Sequence, residues 1–167
     1  MNLQSVGPMI QVLQDQLNVY RTLLDLSRRK QEVLVKGGTA QFEAIVESEQ
    51  ALLWQAGRLE ERRLGLQTRM AAEMGLVTED VTVSRIAPYV PQPERDQLRT
   101  LQADILKVLA ELGEVNEVNT RLIKQSLAYI NAALQLITSA GQRPVTYTPR
   151  GQALPVAERL KVLNQKV

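Results

Sequence analysis

Apolar residues recur along this chain at alternating steps of three and four residues, the spacing that keeps them on one side of an α-helix. The first stripe consists of Ile10, Leu13, Leu17, Tyr20 and Leu24. A pair of glycines at 37 and 38 follows it. Residues without a Cβ atom disfavour the helix interior and favour a left-handed C-cap, so we predict that the first helix ends there.

A second stripe predicts a helix that begins after Thr39, a residue suited to the N-cap, and ends at Gly75. Its members are Phe42, Ile45, Glu49, Leu52, Ala56, Leu59, Arg63, Leu66 and Met70. Two of these residues are charged. We expect Glu49 and Arg63 at the edge of the stripe, with their stems buried and their charged groups in water, and not as a buried ion pair.

The segment from 76 to 93 interrupts the helical spacing. Thr78 is suited to cap a short helix over residues 79–87. Prolines at 88, 91 and 93 then prevent that helix from continuing. We therefore predict a structured connector between the second and third long helices.

The third helix is predicted from Glu94 to Ala140, a length of roughly 70 Å at 1.5 Å per residue. Pro93 suits its first turn, and Glu94 and Asp96 lie favourably near the positive end of the helix dipole. The stripe consists of Leu98, Leu101, Ile105, Val108, Leu112, Val115, Asn119, Leu122, Ser126, Tyr129, Ala133 and Leu136.

Helices of this length pack side by side, and a seven-residue period favours small crossing angles. The sequence thus predicts an all-α fold, an elongated antiparallel bundle of three long helices with a short connector helix and an extended C-terminal tail. We assign residues 1–140 to the bundle domain and 141–167 to the tail. The tail contains several prolines and glycines, but regains helical spacing at Val156, Leu160, Leu163 and Val167.

So short a helix is marginal alone and needs a surface on which to dock. Two interpretations of the tail stay open. It either occupies the binding groove of its own bundle when no partner is present, or is disordered and orders only against whatever it meets.

The amino-acid composition excludes most kinds of catalytic and metal-binding site. The chain contains no Cys and no His, which excludes disulfides, thiol nucleophiles, His-based catalysis and metal sites built on Cys or His. Its nine glycines form no phosphate-binding loop. We therefore expect no enzyme activity, no cofactor and no metal.

The charge is uneven along the chain. Residues 141–167 hold five basic residues and one acidic residue, a net charge of +4, against −2 for the first 140 residues. These bases are too sparse for a nucleic-acid interface. The sequence has neither a signal-peptide pattern nor an apolar run long enough for a membrane span, so we expect a cytoplasmic protein without direct membrane insertion.

One stretch of the third helix, Val115 to Ile130, carries an apolar surface broader than one partner helix would cover. We regard it as a candidate groove for another protein's helix, formed by Asn116, Asn119, Leu122, Ile123, Leu127, Ile130 and Leu134. Asn119 has an alternative role, because a polar residue at a seam position can fix the register of packed helices.

Four features occur together and in order. They are the three long helices, Pro-x-Pro-Glu-Arg at 91–95, Asn-x-x-Asn-x-x-Leu-Ile-x-x-Ser-Leu-x-Tyr-Ile at 116–130, and Tyr-Thr-Pro-Arg-Gly-Gln at 147–152. In this combination the chain resembles the FlgN family, the flagellar type III export chaperones, over roughly residues 8 to 152.

The resemblance implies a chaperone that binds the terminal helices of flagellar hook-associated subunits. Such a chaperone prevents their premature assembly and delivers them to the flagellar export gate. By position, the resemblance assigns gate docking to Tyr147, with Gly151 in the same motif; alternatively, Tyr147 packs on its own bundle. Two other functions stay open, a structural coiled-coil protein that forms a stable homodimer and, with less support, a nucleic-acid-binding helical module.

Overall fold

The computed structural model describes residues 4–140, and these residues form helices joined by short turns. The long helices are α1 (Val6–Lys36), α2 (Thr39–Met74) and α4 (Gln92–Ala140). Between α2 and α4 lie a 3-10 turn (Thr78–Asp80), α3 (Val83–Ile86) and a second 3-10 turn (Ala87–Tyr89). No strand occurs within residues 4–140. The prediction of an all-α protein with three long helices is therefore confirmed.

Glycines end the first two long helices, as predicted. Gly37 and Gly75 have φ angles of 81° and 64°, the left-handed region that suits a residue without Cβ. The Gly37 N–H donates to the Val33 carbonyl at 2.8 Å, which satisfies one of the free carbonyls at the end of α1. The N-cap of α2 was predicted wrongly, because Gly38 occupies it and Thr39 is the first helical residue.

The connector is structured, but its cap differs from the predicted one. Thr82, not Thr78, caps α3, and its Oγ1 accepts a hydrogen bond from the Arg85 N–H at 3.2 Å. Thr78 instead begins a 3-10 turn. Its carbonyl, like that of Val81, accepts a hydrogen bond from Gln67 Nε2 of α2. This side chain therefore fixes the connector against α2, a tertiary contact that the local pattern could not reveal.

The chain divides into two units, Met1–Leu122 and Ile123–Val167. In the first unit, polar pairs show the helix directions. Arg21 pairs with Asp104 and Arg28 with Glu111, so α1 and α4 run in the same direction. Gln16 of α1 contacts Glu60 and Ser27 contacts Glu49, so α2 runs antiparallel to α1. The second unit is described from Ile123 to Ala140, the last turns of α4.

Two apolar clusters form the core of the first unit. The larger joins the start of α1, the end of α2, the connector and the start of α4, through Val6, Met9, Val12, Leu66, Met70, Ala71, Val81, Ile86, Val90 and Leu98. The smaller joins α1 and α4 through Leu17, Leu24, Leu101 and Val108. Each fully buried Leu, Val or Met stabilises the fold by about 1.5–3 kcal/mol.

Burial is uneven along the long helices. No residue of α1 after Ser27, no residue of α2 before Leu66, and no residue of α4 between Asn119 and 139 is buried. The early α2 stripe (Phe42, Ile45 and Leu52) is only half-buried. The part of the first unit that contains the α1–α2 turn is therefore less tightly packed than the part that contains the connector.

Candidate partner-binding surface

A layer of polar side chains crosses the three helices where the buried apolar core ends. The Ser27 hydroxyl of α1 lies 3.1 Å from both Glu49 Oε1 of α2 and Asn116 Oδ1 of α4, and can donate to either. Lys30 Nζ donates to Glu49 Oε2 at 2.7 Å, and the two side chains are only 14% and 13% exposed. The expectation that the Glu49 carboxylate lies in water is therefore wrong, because Lys30 and Ser27 hold it inside.

Asn119 completes this layer from α4. It is 2% exposed, and its Nδ2 donates to the Ser27 carbonyl at 2.8 Å. Its Oδ1 is buried without a partner in the described part of the chain. An amide held in this way matches the alternative role of fixing helix register. Asn116 is exposed, whereas Asn119 packs against α1 and presents no surface to a partner.

A second polar cluster links α1 and α2 closer to the core. Arg63 donates to both oxygens of Glu60 at 2.7 Å, and Gln16 Nε2 donates to Glu60 Oε2 at 3.0 Å. The hydrogen bond from Arg63 lowers the pKa of Glu60 despite partial burial. Burial, assisted by the Glu60 charge, raises the pKa of the Tyr20 hydroxyl. Arg63 is thus ion-paired within its own helix and only 26% exposed, so its charged group is not simply solvated at the stripe edge.

The last turns of α4 carry a different kind of surface. Ile123, Leu127, Ile130, Leu134 and Ile137 follow one another at steps of four and three residues, and we call them the α4 apolar face. Ile123 is half-buried, and Leu127, Ile130, Leu134 and Ile137 are 55%, 51%, 54% and 68% exposed. These four large aliphatic side chains form one exposed stripe in register along α4, which makes the stripe a candidate interaction surface.

A neighbouring stripe broadens this surface. Tyr129 and Leu136 are 77% and 70% exposed, so these positions of the predicted bundle seam are not packed, contrary to expectation. Lys124 is the one charged residue between 123 and 140. An uncharged, exposed, helical surface of this kind can receive the apolar side of an amphipathic helix.

Comparison with known proteins identifies the family to which this chain belongs. The model of the family described as FlgN protein matches residues 1–155, almost the whole chain. The chain belongs to the FlgN family. FlgN proteins are flagellar export chaperones, and their partners in general are flagellar hook-associated proteins.

An individual relative of this FlgN protein comes from Bacillus subtilis (strain 168), where it is named Uncharacterized protein YvyG. The two chains are 26% identical over 149 residues, which cover 89% of this chain and 90% of the relative. No solved structure matches this chain.

The predicted binding residues of this FlgN protein fall into three groups. Leu127, Ile130 and Leu134 lie on the α4 apolar face and are exposed, whereas Leu122 and Ile123 are half-buried and Asn119 is buried. The predicted docking residues Tyr147 and Gly151 lie outside the described residues but inside the FlgN match. The predicted tail helix (Val156, Leu160 and Leu163) lies outside both.

The predicted binding residues did not include two parts of the exposed apolar surface on α4. Ile137 continues the α4 apolar face by one step, and the same three–four spacing could have found it. Tyr129 and Leu136 continue the stripe that packs α4 from Leu98 to Asn119, so no local signal distinguishes them from core. Within the part of the chain that is described, no group of three or more acidic side chains could hold a metal ion, and no helix is long and apolar enough to cross a membrane.

Proposed function

We propose that this FlgN protein is a cytoplasmic chaperone that holds the terminal helices of flagellar hook-associated subunits and delivers them to the flagellar type III export gate. It prevents their premature assembly by covering surfaces that the assembled filament would bury. It acts by binding alone, without catalysis. The observation that carries the proposal is the α4 apolar face, whose side chains from Leu127 to Ile137 are more than half exposed.

The chemistry of the face favours a helical client. Its residues repeat with the period of a helix, so an amphipathic helix laid alongside can match them over four turns. A helix that packs against other helices in an assembly carries an apolar stripe of this kind. Burying them on the chaperone removes exposed apolar area from both proteins, which is the main favourable term in such association.

The proposed face can be tested with Ile130→Glu in the full-length protein. A carboxylate in the centre of an apolar interface should weaken binding of hook-associated subunits by at least about 30-fold, the equivalent of about 2 kcal/mol. Calorimetry with purified subunits, with and without their terminal helices, measures the affinity. Because Ile130 is half exposed, the helical circular dichroism and melting temperature should stay unchanged.

Gln135→Glu provides the matched control. It adds the same charge to an exposed position of the same turns of α4, away from the α4 apolar face, and should leave client affinity unchanged. Loss of affinity in both variants would indicate a general charge effect. A collapse of the fold in Ile130→Glu would show that Ile130 belongs to a core, and either result would count against the proposed site.

We assign gate delivery to Tyr147, on the FlgN resemblance and on its sequence context alone. An aromatic side chain flanked by prolines forms a binding anchor that loses little conformational entropy. Tyr147→Ala should leave client affinity near its original value and weaken recruitment to the export gate by at least about 30-fold. Titration against the purified gate component measures this effect, and an unchanged gate affinity would remove Tyr147 from the site.

A further inference from the structure

The second helix carries a regular row of exposed residues in addition to the stripe that it buries. We call this row the α2 outer seam; it consists of Glu47, Ala51, Trp54, Arg58, Glu61, Gly65, Thr68 and Ala72. Successive members are separated by four and three residues in strict alternation, and all eight are exposed. A sustained seven-residue repeat keeps one face of a helix toward a single partner helix. Within the described residues, α1, the connector and α4 leave this row uncovered.

Trp54 is the most conspicuous residue of the seam. It is the only tryptophan of the chain and is 79% exposed. The adjacent Leu53 is 60% exposed, and a shallow groove on α2 runs past both side chains to Gly57 and Glu61. Tryptophan dominates the energetic centres of protein interfaces because it buries a large apolar area at low entropic cost. Its position here indicates a partner surface.

The order of residues along the seam is complementary to the same seam of a second copy of the chain. If a second α2 runs antiparallel to the first, with the two-fold axis midway between positions 58 and 61, every seam residue meets another seam residue. Arg58 then faces Glu61 of the partner subunit, and Trp54 faces Gly65 of the partner subunit. Opposite charges meet, and the largest side chain meets the smallest. The outer pairs join Ala51 to Thr68 of the partner subunit and Glu47 to Ala72 of the partner subunit.

Two features of the free chain support this pairing. Gly65 lies inside α2, where glycine is destabilising relative to alanine, and a Cβ added there would meet no atom of residues 4–140 within 4 Å. Packing among the described residues therefore gives no reason for a glycine at this position, whereas an indole seated on it does. Arg58 and Glu61 form no ion pair within the described residues, so both are available to a partner.

We propose that the α2 outer seam binds the same seam of a second copy of this chain, antiparallel and two-fold symmetric. Such an isologous contact closes on itself and yields a dimer, not a filament. The seam lies entirely in the first unit, and the α4 apolar face lies in the second. The inference therefore does not rest on the proposed chaperone function.

Charge reversal in the full-length protein tests the pairing. Arg58→Glu and Glu61→Arg should each weaken self-association at least about tenfold, because each puts like charges together twice at the two-fold axis. The double variant restores both pairs with exchanged signs, and should associate within about threefold of the original chain. Sedimentation over a range of concentrations measures the dissociation constants. Arg99→Glu, an exposed charge on α4, should have no effect.

Trp54 itself reports the contact. As the only tryptophan it should shift its emission to shorter wavelength as concentration rises, and in Arg58→Glu this shift should need at least about tenfold higher concentration. Gly65→Ala should weaken association by crowding the indole, although it favours the helix. Gly113→Ala, at another open helical glycine, should favour its helix without any effect on association.

Three results would overturn the proposal. The first is a chain that stays monomeric, with unchanged Trp54 emission, at every accessible concentration. The second is a double charge variant that associates no better than either single variant. The third is self-association that Ile130→Glu abolishes and the α2 variants leave intact, because the α4 apolar face would then carry it. Client affinity should be the same in Arg58→Glu as in the original chain, so failure here is distinguishable from failure of the proposed function.

Discussion

Lys30 of α1 and Glu49 of α2 form an ion pair between two helices, largely shielded from water. Both residues belong to types that are almost never buried without a partner, and they come from different helices. Their side chains are 14% and 13% exposed and meet at 2.7 Å. The Ser27 hydroxyl lies 3.1 Å from the other Glu49 oxygen and can donate to it, so both oxygens of the carboxylate have a hydrogen-bond donor within reach. Charges held this firmly inside a protein destabilise it strongly when one partner is removed.

Lys30→Met should therefore lower the free energy of unfolding by about 3 kcal/mol, because it leaves the Glu49 carboxylate buried without its counter-ion. Urea denaturation at neutral pH measures the change. Lys36→Met is the matched control, since Lys36 pairs with Glu32 at 3.9 Å with both side chains well exposed. Its effect should stay below about 1 kcal/mol. Equal effects of the two variants would show that the Lys30–Glu49 pair is solvated in the free protein.

At the scale of elements, the glycines that cap the long helices differ from those inside them. Gly37 and Gly75 adopt positive φ angles at helix ends, where any residue with a Cβ is strained. Gly57, Gly65 and Gly113 lie inside helices, and a Cβ added to any of them would meet no atom within 4 Å in the described part of the chain. The same residue type therefore stabilises the fold at one kind of position and weakens it at the other.

Alanine substitution should separate the two kinds by the sign of its effect. Gly75→Ala should lower the free energy of unfolding by about 1 kcal/mol, because alanine is strained at the left-handed φ of 64°. Gly113→Ala should raise it by about 0.5–1 kcal/mol, because alanine favours the helix interior. Thermal unfolding followed by circular dichroism compares them. A stabilising Gly75→Ala would contradict the left-handed C-cap at the end of α2.

At the scale of the whole molecule, the helices extend well beyond their buried core. In the first unit, Ser27 is the last buried residue of α1, Leu66 is the first buried residue of α2, and Asn119 is the last buried residue of α4. In the second unit, every large apolar side chain from Leu127 to Ile137 is at least half exposed. A chain that only had to fold would bury these side chains, since each contributes about 1.5–3 kcal/mol when fully buried. Their exposure supports the proposal that this surface binds helices of another protein.

Signals that are local in the sequence are enough to predict the helices and their ends. Three–four spacing of apolar residues located α1, α2 and α4, and the glycines at 37 and 75 located two of their ends, because both signals depend only on neighbours along the chain. The absence of Cys and His restricted the possible chemistry in the same direct way. The ordered motifs from Pro91 to Gln152 were enough to indicate the FlgN family, which the match over residues 1–155 shows.

Contacts between helices, and not the spacing along the chain, determine which parts of each stripe are packed within the chain. Asn119, Tyr129 and Leu136 occupy equivalent positions on one α4 stripe, yet Asn119 is buried against Ser27 while Tyr129 and Leu136 are exposed. Likewise Glu49 is drawn inside by Lys30, a partner from another helix. A helical period states which residues share a face, but it carries no information on whether another helix covers that face. Burial depends on contacts between segments that are distant in sequence, and local spacing cannot encode them.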